Sequence, residues 1–385
     1  MIVTLNGYEN YGNRLQNYAL QEVIKSYNFE VESAKIAVET SNETKTSVTS
    51  RIKKLKEKPI KEVCSLLVSR ASLFIVNKMC FIISKEEREQ SKKIRRRYFM
   101  DFTNKYIKET DFEISESNIP NDLSDRYDYF VAGSDQVWNP NYNFDSSIHF
   151  LEFAEEKKRV AYAPSFGVSS IPEIHKRRYS NWLKGIPNLS VREDDGAMIV
   201  RELTGIKIPV VVDPTILLTK EDWQKVAKAA ANKPKQSYLL TYFLGGVPFK
   251  YKKQIEKIAK ENNLKIINLG DIKESETYKT GPSEYIDYIS SCSILCTDSF
   301  HGTVFAILFE KPFIVYERNR SASSMFSRIE TLLRKFKLED RIADYAHNLE
   351  NVFDMDYSHV TSMLEEERKM GLEFLEKSLN EKIEC

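Results

Sequence analysis

The segment 292–316 constrains the architecture of this chain more strongly than any other stretch. A short apolar run at 293–297 stops at Asp298, and His301 begins a second apolar run of helical length that ends before Pro312. This pattern predicts a strand, a loop, a helix and a second strand. Such a βαβ unit belongs to a parallel sheet, and its first loop lies at the carboxyl edge, where open α/β folds bind ligands.

His301 is therefore expected at the N-terminus of a helix. Ser299 or Asp298 can cap the exposed amides, and Gly302 lets a ligand approach the backbone. A titratable imidazole beside free N–H donors suits an anionic substrate. The alternative is a capped turn in which His301 only hydrogen-bonds a neighbouring loop. We favour the ligand site because, of the five histidines, this is the one between a strand end and a helix start.

The same alternation of apolar runs and helical stripes recurs along the chain. Further strands are predicted at 1–6, 29–36, 127–132, 159–163, 188–191, 238–244, 264–269 and 313–316. Further helices are predicted at 15–27, 196–203, 249–263, 283–291, 324–336 and 355–382. Strands that alternate with helices in this way indicate an α/β protein with parallel sheets.

The length of 385 residues is too great for one ordinary core, so two or three domains are expected. Pro214 disfavours helix for the residue before it, and a capping pattern that starts at Thr219 opens a new helix. We therefore predict one α/β domain at 1–213 and a second at 214–385, which ends in a long helix. Polar strand ends on both domains predict a cleft between them.

Positive charge is concentrated in the first predicted domain, although the whole chain has a net charge of only +1. Between 51 and 97, fifteen Lys and Arg residues oppose five Asp and Glu residues, an excess of ten. These residues surround the almost wholly apolar run 63–83, and together they predict a basic helical insertion at about 45–115. Arg70 and Lys78 within that run argue against a transmembrane helix. Two interpretations stay open, an amphipathic segment on an anionic membrane surface or a helix packed on the domain.

If the basic insertion binds anionic lipid, its attachment to liposomes should weaken as salt screens the charges. Removal of Lys53, Lys54, Arg95 and Arg96 should weaken it in the same way. Flotation with anionic and neutral liposomes over a salt series measures this, and binding that does not depend on salt would contradict the hypothesis.

Composition narrows the remaining possibilities. With 42% hydrophobic and 29% charged residues the chain has the make-up of a soluble globular protein, and its net charge does not indicate a nucleic-acid binder. Five cysteines without a CxxC pair, behind a first strand rather than a secretory leader, predict reduced thiols and a cytoplasmic location. Cys292 and Cys296 flank a buried strand and are expected to be core thiols. No pattern of metal ligands is visible.

Other strand ends also carry polar side chains. The strand at 127–132 is followed by Ser134 and Asp135 and then by Trp138, which either stacks on a sugar or covers the end of the sheet. Arg192 follows the strand at 188–191, where its guanidinium can meet a carboxylate or phosphate of a substrate. A salt bridge to Asp194 or Asp213 explains its position equally well.

Five motifs follow one another along the chain: GYENYGNRLQ at 7–16, AGSDQVWN at 132–139, SVRE at 190–193, VDPT at 212–215 and DSFHG at 298–302. As a set they resemble the motifs of bacterial polysaccharide pyruvyl transferases. The resemblance covers most of the chain outside the basic insertion and the C-terminal helix. It implies a fold similar to glycosyltransferase-B enzymes, with two Rossmann-like domains that face each other across a cleft.

The resemblance also implies a reaction, in which phosphoenolpyruvate transfers its enolpyruvyl group to two hydroxyls of one sugar. The products are a cyclic pyruvate ketal and phosphate, and the expected acceptor is a sugar carried on a polyprenyl diphosphate. The first domain would take the acceptor and the second the donor. Such an acceptor makes a peripheral location on the inner face of the cell membrane reasonable. No cofactor or metal is implied.

Matched position by position, the family's basic donor site corresponds to Arg192 and His301, with Arg318 or Arg320 as the third cation. His301 is the expected general acid, since a nearby phosphate favours the imidazolium, and Asp135 or Asp298 is the expected base. The predicted substrate-binding residues are Arg192, Arg318, Arg320, Ser299, Gly302, Asn10, Asn13, Ser134 and Trp138.

Two other functions fit the same pattern less well. A nucleotide-sugar glycosyltransferase could share this architecture, but no acidic ribose ligand is evident at the spacing of a dinucleotide-binding fold. A noncatalytic scaffold for polysaccharide assembly could use the basic insertion to bind membranes or partners. Turnover of phosphoenolpyruvate distinguishes both from the pyruvyl transferase.

Overall fold

A computed structural model of the chain describes residues 1–37, 85–142, 146–244, 246–318, 326–346 and 351–380. The first of its two sheets has six strands, all paired in parallel. These are β1 (Ile2–Val3), β2 (Ser33–Ile36), β3 (Glu109–Ile114), β4 (Phe130–Ala132), β5 (Arg159–Ala161) and β6 (Asn188–Leu189). Their order in space is β3-β2-β1-β4-β5-β6, the order of a Rossmann-like sheet, which opens a crevice where β1 meets β4.

The second sheet has four strands and is also parallel throughout. Its strands are β7 (Tyr238–Tyr242), β8 (Lys265–Asn268), β9 (Ile294–Thr297) and β10 (Phe313–Val315). The order β10-β9-β7-β8 reverses direction between β7 and β9, so this sheet too has a switch point at its carboxyl edge. The predicted mixture of helices with parallel sheets is confirmed.

Thirteen helices connect or cover these strands in the described part of the chain. They are α1 (Tyr11–Ser26), α2 (85–106), α3 (Glu173–Lys184), α4 (Asp194–Thr204), α5 (Pro214–Leu217), α6 (Lys220–Val226), α7 (Phe249–Glu261), α8 (Ser275–Tyr278), α9 (Pro282–Ser291), α10 (Phe300–Leu308), α11 (Ser327–Phe336), α12 (Ala343–Ala346) and α13 (Val360–Asn380). Short 3₁₀ turns lie at Leu123–Arg126, Ser147–Phe150, Glu156–Lys158 and Glu339–Arg341.

One apolar cluster joins residues from both sheets and the helices between them. All nine residues of α10 are buried, because the helix is apolar on every side and packs against neighbours all round. Trp223 of α6 packs edge-on against Phe305 of α10. The long helix α13 returns to the first sheet, where Phe374 lies beside Tyr162 and the Tyr27 hydroxyl donates to the Leu372 carbonyl.

The predicted basic insertion is only partly helix. Residues 85–106 form α2, but Glu109–Ile114 is β3, an edge strand that pairs with β2. The alternating polar residues of β3 suit such an edge, where one face is exposed, and this strand was not predicted. The predicted apolar segment 63–83 lies outside the described residues. Within the described ranges no helix has the length and apolarity needed to cross a membrane.

Arg95 anchors α2 between the two halves of the chain. Its guanidinium donates to the Tyr11 hydroxyl and the Tyr278 carbonyl, each at 2.8 Å, and to the Glu9 carbonyl at 3.1 Å. It also lies over the rings of Tyr11 and Phe99 at 4.5 and 5.0 Å. Arg95 is only 5% exposed. It therefore cannot contact lipid, and its place among the expected lipid-binding cations is wrong.

We predict that Arg95→Met lowers the free energy of unfolding by about 2 to 3 kcal/mol, because charged hydrogen bonds and desolvated cation–π contacts are lost together. Urea denaturation at neutral pH measures the change. The matched control is Arg97→Met on the same helix, where the side chain is 79% exposed and a change within about 0.5 kcal/mol is expected. Equal effects of the two substitutions would contradict the anchoring role.

Candidate functional site

Carboxyl ends of strands from both sheets border one pocket of about 760 Å³. The loops after β1, β2 and β4 line it from the first sheet. Leu244, the N-terminus of α10, Arg318 and Arg328 line it from the second. Both switch points therefore open toward the same space, as expected for a ligand site in α/β proteins.

The predicted unit at 292–316 is present as β9, α10 and β10, with the two strands paired in parallel. Ser299 caps α10 by accepting a hydrogen bond from the Gly302 amide at 3.3 Å. Both Ser299 and His301 line the pocket. Gly302 does not, because it faces back toward β9, where a Cβ would lie 2.9 Å from the Thr297 hydroxyl. The absence of a side chain at Gly302 lets α10 pack closely against β9, which differs from the predicted approach of a ligand to the backbone.

The imidazole of His301 lies between Gly12 and Asp213. A Cβ on Gly12 would come within 2.1 Å of Nδ1, so the ring rests directly on the first turn of α1. On its other edge, Nε2 is 3.5 Å from Oδ2 of Asp213. His301 is 6% exposed and Asp213 is fully buried. The ring is thus confined between one glycine and one carboxylate.

Asp213 gathers contacts from several parts of the chain. Its Oδ2 accepts hydrogen bonds from Ser134 Oγ at 2.7 Å and from Arg192 Nη1 at 2.5 Å. Its Oδ1 accepts from the amide and hydroxyl of Thr215 at 3.0 and 2.7 Å. Burial alone would raise the pKa of Asp213, but the charges of His301 and Arg192 and these hydrogen bonds hold it well below its usual range. The carboxylate therefore stays charged at neutral pH.

Arg192 is paired with carboxylates rather than directed into the pocket. Besides Asp213, it bonds Asp135 Oδ1 through Nη2 at 3.2 Å, and it lies 4.2 Å from the centre of the Phe300 ring. Burial would lower the pKa of Arg192, but the two carboxylates raise it. Of the alternatives open from the sequence, the salt bridge to Asp213 is the one observed, while Asp194 pairs with Arg334.

Asp135 borders the pocket in a left-handed backbone conformation, with φ of 66°. Its Oδ2 accepts a hydrogen bond from Asn13 Nδ2 at 2.7 Å. Asn10 caps α1 by accepting from the Gly12 amide at 2.9 Å. Asn10 and Asn13 both line the pocket, whereas Ser134 lies behind it against Asp213.

Trp138 is buried in the core of the first sheet. Its Nε1 donates to the His149 carbonyl at 2.9 Å, and its ring stacks on Phe150 with centroids 5.0 Å apart. With no exposed surface it cannot stack on a sugar in this structure. The position fits the interpretation that it covers the end of the sheet, and it does not support a role in substrate binding.

Asp298 orients Arg318 toward the pocket. Its Oδ2 accepts from Arg318 Nε at 2.9 Å, and its carbonyl accepts from Nη2 at 3.2 Å. Its Oδ1 is occupied by the Leu244 amide at 2.7 Å. Arg318 lines the pocket, and the alternative cation Arg320 lies outside the described residues. Asp298 is thus placed to position a cation.

Arg328 is a pocket residue that the sequence did not reveal. It is the second residue of α11, is 7% exposed and lines the pocket together with Arg318. When the Gln136 amide oxygen faces it, that oxygen accepts from Nη1 and Nη2 at 2.9 and 2.8 Å. Burial, with the neighbouring charge of Arg192, lowers the pKa of Arg328 to about 10, so the guanidinium remains charged at neutral pH.

The two sides of the pocket differ in charge. The second sheet contributes Arg318, Arg328 and the ring of His301, while the first contributes mostly amides, hydroxyls and apolar groups. Burial lowers the pKa of His149 to about 4, so this imidazole is neutral at pH 7. The pocket can therefore hold an anion on one side and neutral hydroxyl groups on the other.

Within the described ranges, no group of three or more His, Cys, Asp and Glu side chains is placed to hold a metal ion. Cys292 and Cys296 are buried free thiols, as predicted, and burial raises the pKa of each to about 12. Neither thiol is a reactive group at neutral pH.

A known protein family matches most of this chain. The sequence model of the polysaccharide pyruvyl transferase family matches residues 10–320, well over half of the chain. The matched region contains Asp135, Arg192, Asp213 and His301 and ends before Arg328. No curated protein gives a significant match. The match confirms the family indicated by the five motifs.

We predict that Gly12→Ala destabilises the protein by about 1 to 3 kcal/mol, because the new methyl group would overlap the His301 ring. The nearest atoms to that methyl all belong to His301. In the double variant with His301→Ala the penalty should therefore nearly disappear. A double-mutant cycle by urea denaturation measures this coupling. Additive effects of the two substitutions would contradict the contact.

Proposed function

The chain belongs to the polysaccharide pyruvyl transferase family, and from this premise we propose that its pocket transfers pyruvate from phosphoenolpyruvate to two hydroxyls of one sugar. The products are a cyclic ketal and inorganic phosphate. Membership alone makes the chain a pyruvyltransferase of polysaccharide biosynthesis. The observation that carries the finer proposal is the convergence of Arg318, Arg328 and His301 on one side of a single pocket.

The donor carries a carboxylate and a phosphate within a few bonds of each other. Two guanidinium groups can bind such a compact anion through bidentate, charge-assisted hydrogen bonds. We assign these contacts to Arg318, which Asp298 holds toward the pocket, and to Arg328. The N-terminus of α10 adds the positive end of a helix dipole. Both terminal nitrogens of Arg192 bond carboxylates behind the pocket. We therefore assign the direct donor contacts to Arg318 and Arg328 and not to Arg192.

The chemistry needs a proton at the methylene carbon of phosphoenolpyruvate. Protonated His301 gives that proton to C3, and the positive charge that develops at C2 is attacked by the first sugar hydroxyl, whose proton restores the imidazolium. The second hydroxyl then bonds to C2 as the C2–O bond to phosphate breaks, and the phosphate leaves with the second hydroxyl proton. Two C–O bonds form and one breaks, and no oxidant, reductant or metal is required.

Asp135 is the better placed of the two candidate bases. It lines the pocket on the side of the first sheet, whereas Asp298 is not among the residues that line the pocket. Asn13 and Arg192 hold the Asp135 carboxylate in position. We propose that it accepts a hydrogen bond from an attacking hydroxyl during the second addition.

The acceptor sugar is proposed to bind on the first sheet's side, where neutral amides such as those of Asn10, Asn13 and Asn141 can hydrogen-bond hydroxyl groups. The two Rossmann-like sheets with one pocket at their carboxyl edges support the glycosyltransferase-B-like arrangement. We further propose a polyprenyl-diphosphate carrier for that sugar and a peripheral membrane location. Exposed cations of α2, Arg96 and Arg97, are compatible with such attachment.

We predict that the enzyme releases phosphate from phosphoenolpyruvate only when a lipid-linked acceptor extract is present. His301→Gln should lower kcat by about 10²- to 10⁴-fold, because it removes the general acid. Arg318→Met and Arg328→Met should each raise the KM for phosphoenolpyruvate by about 10- to 100-fold, because a charged hydrogen-bond donor is lost. Steady-state phosphate release measures all three.

The matched control is Arg334→Met, on the same helix as Arg328 but with its side chain 59% exposed. It should leave both constants nearly unchanged. Unaltered KM values in the Arg318 and Arg328 variants would contradict the assigned donor site. Release of a nucleotide from a nucleotide sugar, without turnover of phosphoenolpyruvate, would favour a glycosyltransferase instead.

A further inference from the structure

We infer that Asp213 is a positioning residue for the reaction, holding the His301 ring in place and favouring its protonated form. This inference deepens the proposed function, since it concerns the group assigned as the general acid. Asp213 lies in the VDPT motif at 212–215, which the sequence associated with the family but not with any chemical role.

The geometry confines the ring from two sides. Oδ2 of Asp213 faces Nε2 at 3.5 Å, and the opposite edge of the ring rests on Gly12. Because Oδ1 is held by Thr215 and Oδ2 by Ser134 and Arg192, the carboxylate cannot rotate away without breaking several buried hydrogen bonds. Such a fixed carboxylate limits the positions that the imidazole can take.

Asp213 belongs to a buried set of three charged groups. Asp213 and Asp135 carry two negative charges, and Arg192, bonded to both, carries one positive charge. Of these three groups, Asp213 is the one with an oxygen 3.5 Å from a ring nitrogen, so its charge acts most directly on the imidazole. In the described part of the chain, Asp213 is the one carboxylate with an oxygen within 4.0 Å of a His301 ring nitrogen.

Other groups near the ring act in the opposite direction. Arg318 and Arg328 line the same pocket, and the N-terminus of α1 lies beneath the ring at Gly12. All three disfavour an additional positive charge before the donor arrives. Asp213 offsets them, and a bound anionic donor would offset them further. Neutralising Asp213 should therefore make protonation of the ring less favourable.

The direct test is the titration of the His301 ring in the protein without substrate. Histidine ring signals are followed by NMR against pH, and the His301 signal is identified by its absence in His301→Gln. In Asp213→Asn, which keeps the size of the side chain but removes its charge, the midpoint should move to lower pH by about one unit or more. An unchanged midpoint would overturn the inference.

Asp213→Asn leaves Arg192 buried with one carboxylate, so the fold itself can suffer. The double variant Arg192→Met with Asp213→Asn removes both charges of the Arg192–Asp213 ion pair, and it should show the same direction of change because the carboxylate nearest the ring is lost. Asp135→Asn is the matched carboxylate control. It also neutralises a partner of Arg192, but it has no ion pair with His301, so its effect on the midpoint should be clearly smaller.

The kinetic readout separates a positioning role from a merely structural one. A general acid must be protonated, so kcat falls as pH rises through the titration of the ring. In Asp213→Asn this fall should begin at lower pH, and kcat at pH 7 should drop by about 10- to 100-fold with KM for phosphoenolpyruvate nearly unchanged. A uniform loss of kcat at every pH would overturn the inference.

The NMR result does not depend on the proposed reaction. If the ring titration shifts in Asp213→Asn while the wild type releases no phosphate from phosphoenolpyruvate, the carboxylate–imidazole pair stands and the proposed function fails. If the wild type turns over phosphoenolpyruvate and the titration is unchanged, the proposed function stands and Asp213 has no positioning role.

Discussion

The buried carboxylate of Asp213 is the constraint on which the site depends. A buried charge is costly unless it is paired and hydrogen-bonded, so this carboxylate requires Ser134, Arg192 and Thr215 to converge on it. These residues follow different strands or segments of the first half of the chain. The remaining neighbour, His301, comes from the second sheet. The contacts of Asp213 therefore pair a buried charge, and they also bring together loops that follow the two sheets.

The division of charge within the pocket follows from this arrangement. Arg192 is neutralised by Asp135 and Asp213, so the first sheet presents little free positive charge to a ligand. The cations that border the pocket, Arg318 and Arg328, come from the second sheet and its following helix. The proposed transfer would place an anionic donor on that side and a neutral sugar on the other. The resemblance alone had placed Arg192 on the donor.

Much of the fold was predictable, because buried parallel strands and amphipathic helices leave regular patterns. The βαβ unit around His301 was predicted nearly to the residue, including the capping role of Ser299. Strand β3 was missed because its alternating charges lie beside a basic helix and resemble a solvated segment. Arg328 was missed because nothing in a polar helical stretch shows which side chain will face a pocket formed by another part of the chain.

The sequence by itself determined the fold class, the family and the position of His301 at the start of a helix, because these depend on local periodicity, capping and ordered motifs. Tertiary structure decided which partners each charged residue has. Arg192 became a buried partner of Asp213, Asp298 became the support of Arg318, and Gly12 became the surface on which the imidazole rests. The physical reason is that the role of a charge depends on which opposite charges lie within a few ångströms. Those neighbours are distant along the chain.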